Sequence, residues 1–171
     1  MSIGNALFPE TRTKKMKTKE EASQCVTCGE RAVRKGTVPL TREVGEHVFS
    51  TTVSGHVCGA CGETLTDLED GERFDLAIAE ILTEAAPTGG SFRFLRKVVG
   101  LRARDLARML GLTGDTISRW ENGKYAIDRA AFFVLGQIVR ERRAGLTAMQ
   151  DLLVRGEMPK PLPRVVNVHL E

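Results

Sequence analysis

The sequence predicts an α+β fold in two domains, a small antiparallel β domain followed by an all-α domain. Between residues 23 and 69, short runs of strand-forming residues alternate with glycine and proline, and they lie between two Cys-x-x-Cys pairs. From residue 91 to 143, apolar residues recur at helical spacing, with turn residues between the segments. At 171 residues the chain is long enough for two such domains.

Composition bounds the class of protein. A hydrophobic content of 42% and a charged content of 27% are ordinary for a globular chain in water. No apolar run approaches the ~18 residues of a membrane-spanning helix, and the N-terminus lacks the apolar core of a secretory signal. A cytoplasmic location without membrane contact is therefore the expectation. In that compartment cysteines are expected as metal ligands or thiols rather than as disulfides.

The first cysteine pair is Cys25 and Cys28 and the second is Cys58 and Cys61, each followed directly by glycine. Two thiolates at this spacing on a tight turn can face one ion, and two such turns supply the four sulfurs of a closed tetrahedral Zn²⁺ site. A β unit of this size buries little apolar surface, so one structural zinc ion is expected to contribute folding free energy. Redox pairs and disulfides are the alternatives, but a redox pair requires a βαβ unit, which this stretch lacks.

Charge is segregated along the chain. Residues 1–22 contain a lysine cluster without periodicity and predict a disordered basic arm. Residues 62–90 hold eight acidic residues and one basic residue; within them, residues 70–90 predict an acidic linker helix that ends in a Pro-Thr-Gly-Gly hinge. Whether this acidic block binds a basic protein or is simply solvated stays open at this point. Residues 91–143 hold twelve basic and five acidic residues, a balance that suits phosphate binding.

The stretch from Leu101 to Gly123 predicts two short helices joined by a tight turn. The residues that define it are Leu106, Ala107 and Leu110 on one face of the first helix, Gly111 in the turn, Thr113 as N-cap, and Ile117 and Trp120 buried by the second helix. The opposite face of the second helix is short and polar, so this helix can enter a major groove. An αα-hairpin packed into some other helical core is the alternative.

The remaining segments complete the helical half. Ser91 is a candidate cap for the first helix of this half, and Asp128 for a later helix that is apolar on more than one side. Such a wide apolar surface predicts a homodimer contact. Residues 144–171 predict a helix at 146–154 and a tail in which residues 164–170 alternate weakly, like a strand.

The combination of a double Cys-x-x-Cys module, a linker and a helix that ends in Ile-Ser-Arg-Trp-Glu-Asn-Gly resembles the MqsA family, the YgiT-type zinc-finger antitoxins, between Cys25 and Val139. The helical half resembles the Xre/Cro-like helix-turn-helix repressors. The resemblance implies zinc ligation by the four cysteines. It also implies an N-terminal domain that neutralises a small basic mRNA-cleaving toxin, and a C-terminal domain that dimerises and represses its operon at a palindromic operator.

The resemblance also implies which residues contact DNA. It places the family's base-contacting arginine at Arg119, which can bond guanine O6 and N7. Asp115 stands where the family has asparagine, and a carboxylate would instead accept a hydrogen bond from cytosine N4. A phosphate contact is expected at Arg102 or Arg104. The candidate DNA-binding residues are Arg102, Thr113, Asp115, Thr116, Ser118, Arg119, Asn122 and Lys124.

Two other functional classes compete with this interpretation. One is a stand-alone zinc-containing transcriptional repressor without a toxin partner, its zinc domain serving as a scaffold or as a metal or thiol sensor. The other is an enzyme. The sequence shows no glycine-rich phosphate loop, no Ser/His/Asp arrangement and no open metal site, so it predicts no catalytic residues. Disulfide exchange by the cysteine pairs is the one chemistry that it would allow.

Overall fold

The computed structural model of the chain describes residues 23–156, 161 and 163–166. Within these residues, a three-stranded antiparallel sheet precedes six helices, so the α+β prediction is confirmed. The elements are β1 (Val33–Val44), β2 (His47–Cys58), β3 (Thr64–Leu65), α1 (Leu68–Thr83), α2 (Gly89–Val98), α3 (Ala103–Met109), α4 (Gly114–Glu121), α5 (Arg129–Arg143) and α6 (Ala148–Gly156). The predicted basic arm and most of the tail lie outside the described residues.

The sheet is dominated by one long hairpin. Strands β1 and β2 pair over their full 12-residue lengths, from Val33 opposite Cys58 to Val44 opposite His47. They are joined by a two-residue turn in which Gly45 has a φ of 62°, a left-handed conformation that favours glycine. Strand β3 extends the sheet only briefly, opposite residues 56–57 of β2. The cysteines therefore lie at one end of the hairpin and the turn at the other.

The turn end of the hairpin packs against the helices. Val44 is buried in the main hydrophobic core together with residues of all helices from α1 to α5. The Arg42 Nε donates to the Asp75 carboxylate of α1 at 2.8 Å. A Cβ placed on Gly90 of α2 would lie 3.2 Å from the Cα of Gly45. The turn end of the hairpin and the helices thus share one core, whereas Cys25, Val33 and Cys58 form a separate small cluster at the other end. The domain boundaries at residues 69 and 90 stay a prediction.

The acidic helix α1 is amphipathic, and its apolar face belongs to the main core. Ile78, Ala79 and Leu82 are buried, and α1 packs against α2 and α5. The core is completed by large side chains that are less than 2% exposed, at Phe92, Leu95, Leu106, Ile117, Leu135 and Val139. Burial of this apolar face is the main reason that the segment is helical in the folded chain.

Helix α2 begins earlier than the sequence predicted. Its N-cap is Thr88, whose Oγ1 accepts from the Ser91 backbone N–H at 3.1 Å, while the Thr88 N–H donates to the Ser91 Oγ at 2.9 Å. Ser91 is therefore the second member of a capping box, and its prediction as N-cap is wrong by three positions. Gly89 and Gly90, within the segment predicted as a hinge, form the first turn of this helix.

The wide apolar surface of α5 is explained by its packing against α1, α2 and α6. Asp128 caps α5 as predicted, its Oδ1 accepting from the Ala131 N–H at 2.8 Å. One side of α5 faces α1 and α2, and α6 packs against it with Met149 and Leu153 placed on the core. Most of the apolar surface that predicted a dimer contact is thus covered within the chain, although Phe133 remains 54% exposed.

Two further expectations concern the tail and the membrane. Of the strand predicted at residues 164–170, the described residues 164–166 are not in a strand, and the others lie outside the described part. Among the residues that the structure describes, no helix has the length and apolar character needed to cross a membrane.

Candidate metal centre and candidate nucleic-acid interface

The two cysteine pairs occupy loops of the same local structure. In the first, the Gly29 N–H donates to the Cys25 carbonyl at 2.9 Å; in the second, the Gly62 N–H donates to the Cys58 carbonyl at 2.9 Å. Both glycines have a positive φ, 78° and 76°, as the predicted tight turns require. A bond of 2.9 Å from the Gly59 N–H to the Ala32 carbonyl ties the second loop to the start of β1.

The loops bring the four sulfurs together. All four Sγ atoms lie within 4.8 Å of one another. The Cys25–Cys61 and Cys28–Cys58 Sγ pairs are each 3.7 Å apart. A tetrahedral site with Zn–S bonds of ~2.3 Å has sulfur–sulfur edges of ~3.8 Å, so the donor set and its spacing fit one Zn²⁺ ion. Cys25 and Cys58 are buried, whereas Cys28 and Cys61 face solvent.

The proton affinities of these thiols differ strongly. The backbone N–H groups of Cys28 and Thr27 donate to the Cys25 sulfur and lower its pKa to about 7. At Cys61 the backbone N–H of Glu63 acts in the same direction, but hydrogen bonds shared with Cys28 and the other thiols, together with desolvation, raise the pKa to about 12. A thiolate beside protonated thiols is a site at which a soft cation displaces protons. The four cysteines thus lie close enough together to hold one metal ion, consistent with the predicted structural zinc.

Helices α3 and α4 have the predicted local geometry. Gly111 follows α3 with a φ of 65°, and the Leu112 N–H donates to the Ala107 carbonyl at 2.8 Å. The Thr113 Oγ1 caps α4 by accepting from the Thr116 N–H at 3.2 Å. The small side chain at Ala107 and the large ones at Ile117 and Trp120 are all buried, as predicted.

The face of α4 opposite this buried side is polar and accessible. The structure places seven of the eight candidate DNA-binding residues in exposed positions and the eighth, Thr116, in a half-buried one. The Thr113 and Thr116 hydroxyls lie 2.9 Å apart, and the Asn122 Nδ2 donates to the Ser118 carbonyl at 2.8 Å. Asn122 is thus also the C-cap of α4.

Helix α4 is anchored to α2 by contacts that sequence reasoning missed. The Glu121 side chain is only 7% exposed, and its carboxylate accepts from both Arg93 and Arg96. The Arg93 NH2 also donates to the Asn122 Oδ1 at 2.7 Å. The Trp120 ring meets Phe92 edge to face, with centroids 5.6 Å apart. The available signal was Arg96 itself, which lies beside Leu95 and four positions after Phe92 and so falls near the buried face of α2.

Tyr125 was also not predicted from the sequence as a functional residue. It is the only tyrosine of the chain and lies in the short connection after α4, six positions beyond Arg119. The Arg119 NH1 donates to its hydroxyl at 3.0 Å, and the guanidinium carbon lies 5.2 Å from the ring centroid. The Arg119 Nε also lies 2.8 Å from the Asp115 Oδ2, one helical turn earlier.

Part of the acidic block is neutralised within the chain. Besides the pair between β1 and α1, Glu80 of α1 pairs with Arg143 of α5, and the C-cap residue Glu84 pairs with Arg140. Exposed carboxylates remain at Glu69 and Glu72. The segment predicted as an acidic linker helix is therefore attached to α5 by charge as well as by apolar packing.

Comparison with known proteins adds one match. The sequence profile of the family described as "Antitoxin component of bacterial toxin-antitoxin system, MqsA" matches residues 23–144. No individually curated protein matches the chain. The matched region covers more than half of the chain and includes the four-cysteine centre, α3 and α4. The chain therefore belongs to the MqsA family of antitoxin components of bacterial toxin–antitoxin systems.

Proposed function

We propose that this antitoxin represses its own operon by placing α4 in the major groove of DNA, and that its zinc-bound half neutralises a small basic ribonuclease. The DNA-binding half of the proposal is carried by one observation. Helix α4 exposes a short polar face while its other side is fixed by Ile117, Trp120 and Glu121. A rigid helix with a free polar face is the element that contacts base edges in helix-turn-helix proteins.

The charge around α4 supports a phosphate-contacting role for its neighbours. Arg102 before α3 and Lys124 after α4 are both exposed, at opposite ends of the two-helix unit. Residues 91–143 carry seven more basic than acidic residues. In this proposal the flanking cations bind phosphates and set the register, while Arg119 contacts a base.

A palindromic operator requires a second copy of the chain. We assign the homodimer contact to the apolar surface at the start of α5, around exposed Phe133 and half-buried Ile127. A groove of about 450 Å³ lies there, between the end of α1 and the start of α5. Two copies related by a two-fold axis would present their α4 helices to half-sites about 34–36 Å apart, or multiples of that distance.

The toxin-neutralising half rests on family membership and on charge. A basic ribonuclease is complementary to the exposed carboxylates of the acidic block, Glu69 and Glu72, which follow the sheet directly. Zinc would act here as a structural cross-link at the cysteine end of the hairpin and would hold the acidic surface in its folded conformation.

The test has a DNA arm and a protein arm. In the first, the full-length zinc-loaded chain is titrated against the DNA upstream of its own gene. We expect specific retention of this DNA by the protein, which random DNA of the same length does not compete away. In the second, the chain is co-expressed with the products of adjacent genes; we expect co-purification of a small basic protein whose ribonuclease activity it inhibits. Absence of specific retention removes the repressor function, and absence of an inhibited ribonuclease removes the toxin-neutralising function.

A second candidate function is a stand-alone repressor without a toxin partner. In such a protein the zinc hairpin would serve as a scaffold for the helices, and its packing against them through Val44 and the Arg42–Asp75 ion pair supplies the contact that a scaffold needs. Specific retention in the DNA arm, together with adjacent genes that encode no ribonuclease, would select this function over the first.

A further inference from the structure

The guanidinium of Arg119 is held from two sides by neighbouring residues. The Asp115 Oδ2 lies 2.8 Å from its Nε, and the Tyr125 hydroxyl accepts from its NH1 at 3.0 Å. The Tyr125 ring also lies beside the guanidinium carbon, at 5.2 Å from ring centroid to Cζ, within the range of a cation–π contact. These contacts restrict a side chain that otherwise has many rotamers.

The two contacts leave the terminal edge of the guanidinium available. Arginine has five N–H donors in a fixed planar fork. The Asp115 carboxylate lies beside Nε as an ion-pair partner, and the Tyr125 hydroxyl accepts from one of the four N–H groups on NH1 and NH2. Three N–H groups on NH1 and NH2 have no partner among the described residues, and these two terminal nitrogens can donate to guanine O6 and N7 in a bidentate contact.

The same geometry gives Asp115 a different role from the one its sequence position predicts. A carboxylate at this position was expected to accept from cytosine N4. In the structure the carboxylate is turned along α4 toward Arg119, at the i,i+4 spacing that favours such pairs. Because Asp115 and Arg119 are 66% and 44% exposed, their pairing contributes little to folding stability.

We infer that Asp115 and Tyr125 are specificity-determining positioning residues, which fix Arg119 end-on toward a guanine, and that Asp115 itself contacts no base. The inference rests on the proposed DNA-binding function and deepens it. It makes one distinctive claim: loss of Asp115 and loss of Arg119 affect the same base pair of the operator. A cytosine-contacting aspartate would instead govern a base pair of its own.

The test is selection of binding sites from a library of random DNA duplexes by the full-length zinc-loaded chain. It compares the wild type with Arg119→Ala, Asp115→Ala, Tyr125→Phe and the double variant of Arg119 and Asp115. Asp105→Ala is the matched control, because it removes the same charge from the neighbouring α3. Removing a carboxylate strengthens binding to all DNA, so the readout is the ratio of guanine to other bases at each position, not the overall affinity.

We expect Arg119→Ala and Asp115→Ala to relax the same base pair, with a loss of guanine preference of about five- to tenfold for Asp115→Ala. Tyr125→Phe keeps the ring and removes the hydroxyl, and should lose about threefold at that base pair. The double variant should lose no more than Arg119→Ala alone, and Asp105→Ala should leave every base preference unchanged.

Other results overturn the inference. If Asp115→Ala relaxes a different base pair, Asp115 contacts a base directly; if it changes no preference, the ion pair has no part in recognition. In both cases DNA binding by the wild type stands and the positioning role alone is wrong. If the wild type enriches no sequence, the proposed DNA-binding function fails, and this inference fails with it.

Discussion

Arg96 and Glu121 form a buried two-bond ion pair between α2 and the last residue of α4. The Arg96 Nε lies 2.5 Å from the Glu121 Oε1 and its NH2 lies 3.1 Å from Oε2, while its NH1 donates to the Leu101 carbonyl at 2.7 Å. The two side chains are only 10% and 7% exposed. One guanidinium thus fixes α2, the start of the α3 segment and the end of α4 relative to one another.

Replacement of Glu121 with alanine should destabilise the fold strongly. It leaves the Arg96 guanidinium buried without its carboxylate, a change that typically costs about 3–5 kcal/mol. Urea unfolding followed by circular dichroism measures the loss. Glu84→Gln is the control, since Glu84 is 74% exposed beside Arg140 and its change should stay within about 1 kcal/mol. Equal losses for the two variants would show that the buried pair does not hold α4 in place.

Gly89→Ala tests the close approach of α2 and α4. A Cβ at this position would lie 2.7 Å from the carbonyl oxygens of Trp120 and Glu121, which are backbone atoms and cannot rotate away. We expect a loss of about 1–3 kcal/mol in the free energy of unfolding. Gly114→Ala, at a helical glycine with open space around it, should instead be neutral or stabilise by up to about 1 kcal/mol. An unchanged stability of Gly89→Ala would place α2 farther from α4 than the structure does.

Local chemistry explains which parts of the fold the sequence could predict. Gly111, Thr113 and Asp128 act on backbone groups within a few residues of themselves, so their turn and caps follow from neighbouring residues alone. The cysteine site was predictable for the same reason, because each loop is stabilised by its own hydrogen bonds. Thr88 and Ser91 hydrogen-bond to each other's backbone N–H groups. The sequence therefore indicated a cap in this segment but not which of the two residues is the N-cap.

The features that could not be predicted from the sequence depend on contacts between residues far apart in the chain. The sequence predicted an antiparallel unit of about three strands, but not that Gly36 lies opposite Gly55 within one continuous ladder. Pro39 is tolerated because β1 is an edge strand. The burial of Val44 among the helices depends on where a 12-residue strand ends in space, and no local pattern encodes that position.

Zinc binding should depend steeply on pH between about 6 and 8. The pKa of Cys25 is lowered from 9.0 to about 7, so its thiolate stabilises the folded cluster fully above pH 9, and this contribution is lost as the pH falls through 7. Metal must also displace a proton from Cys61, whose pKa is raised to about 12. Both effects make the apparent zinc affinity rise with pH.

Competition with a chromophoric chelator at a series of pH values measures this dependence. Cys58→Ser should lose high-affinity zinc binding at every pH, because it removes one of the four sulfurs. Removal of zinc should also lower the melting temperature of the helices, since the turn end of the hairpin is buried in their core at Val44. An affinity that stays constant from pH 6 to 8 would contradict the role of protonated thiols, and unchanged helix melting would separate the hairpin from the helical core.

Lys124→Ala and Arg119→Ala should weaken DNA binding in different ways. Lys124 is exposed just beyond α4 and is proposed to bind a phosphate, so its loss should weaken all sequences alike and reduce the slope of log K against log salt by about 1. Arg119→Ala should cost about 1–3 kcal/mol on the operator and much less on random DNA, because a base contact is lost. Titrations of both variants at several salt concentrations, on operator and random duplexes, separate the two effects. If Arg119→Ala weakened both duplexes equally, α4 would contact only the DNA backbone, and its assignment as the base-contacting helix would be wrong.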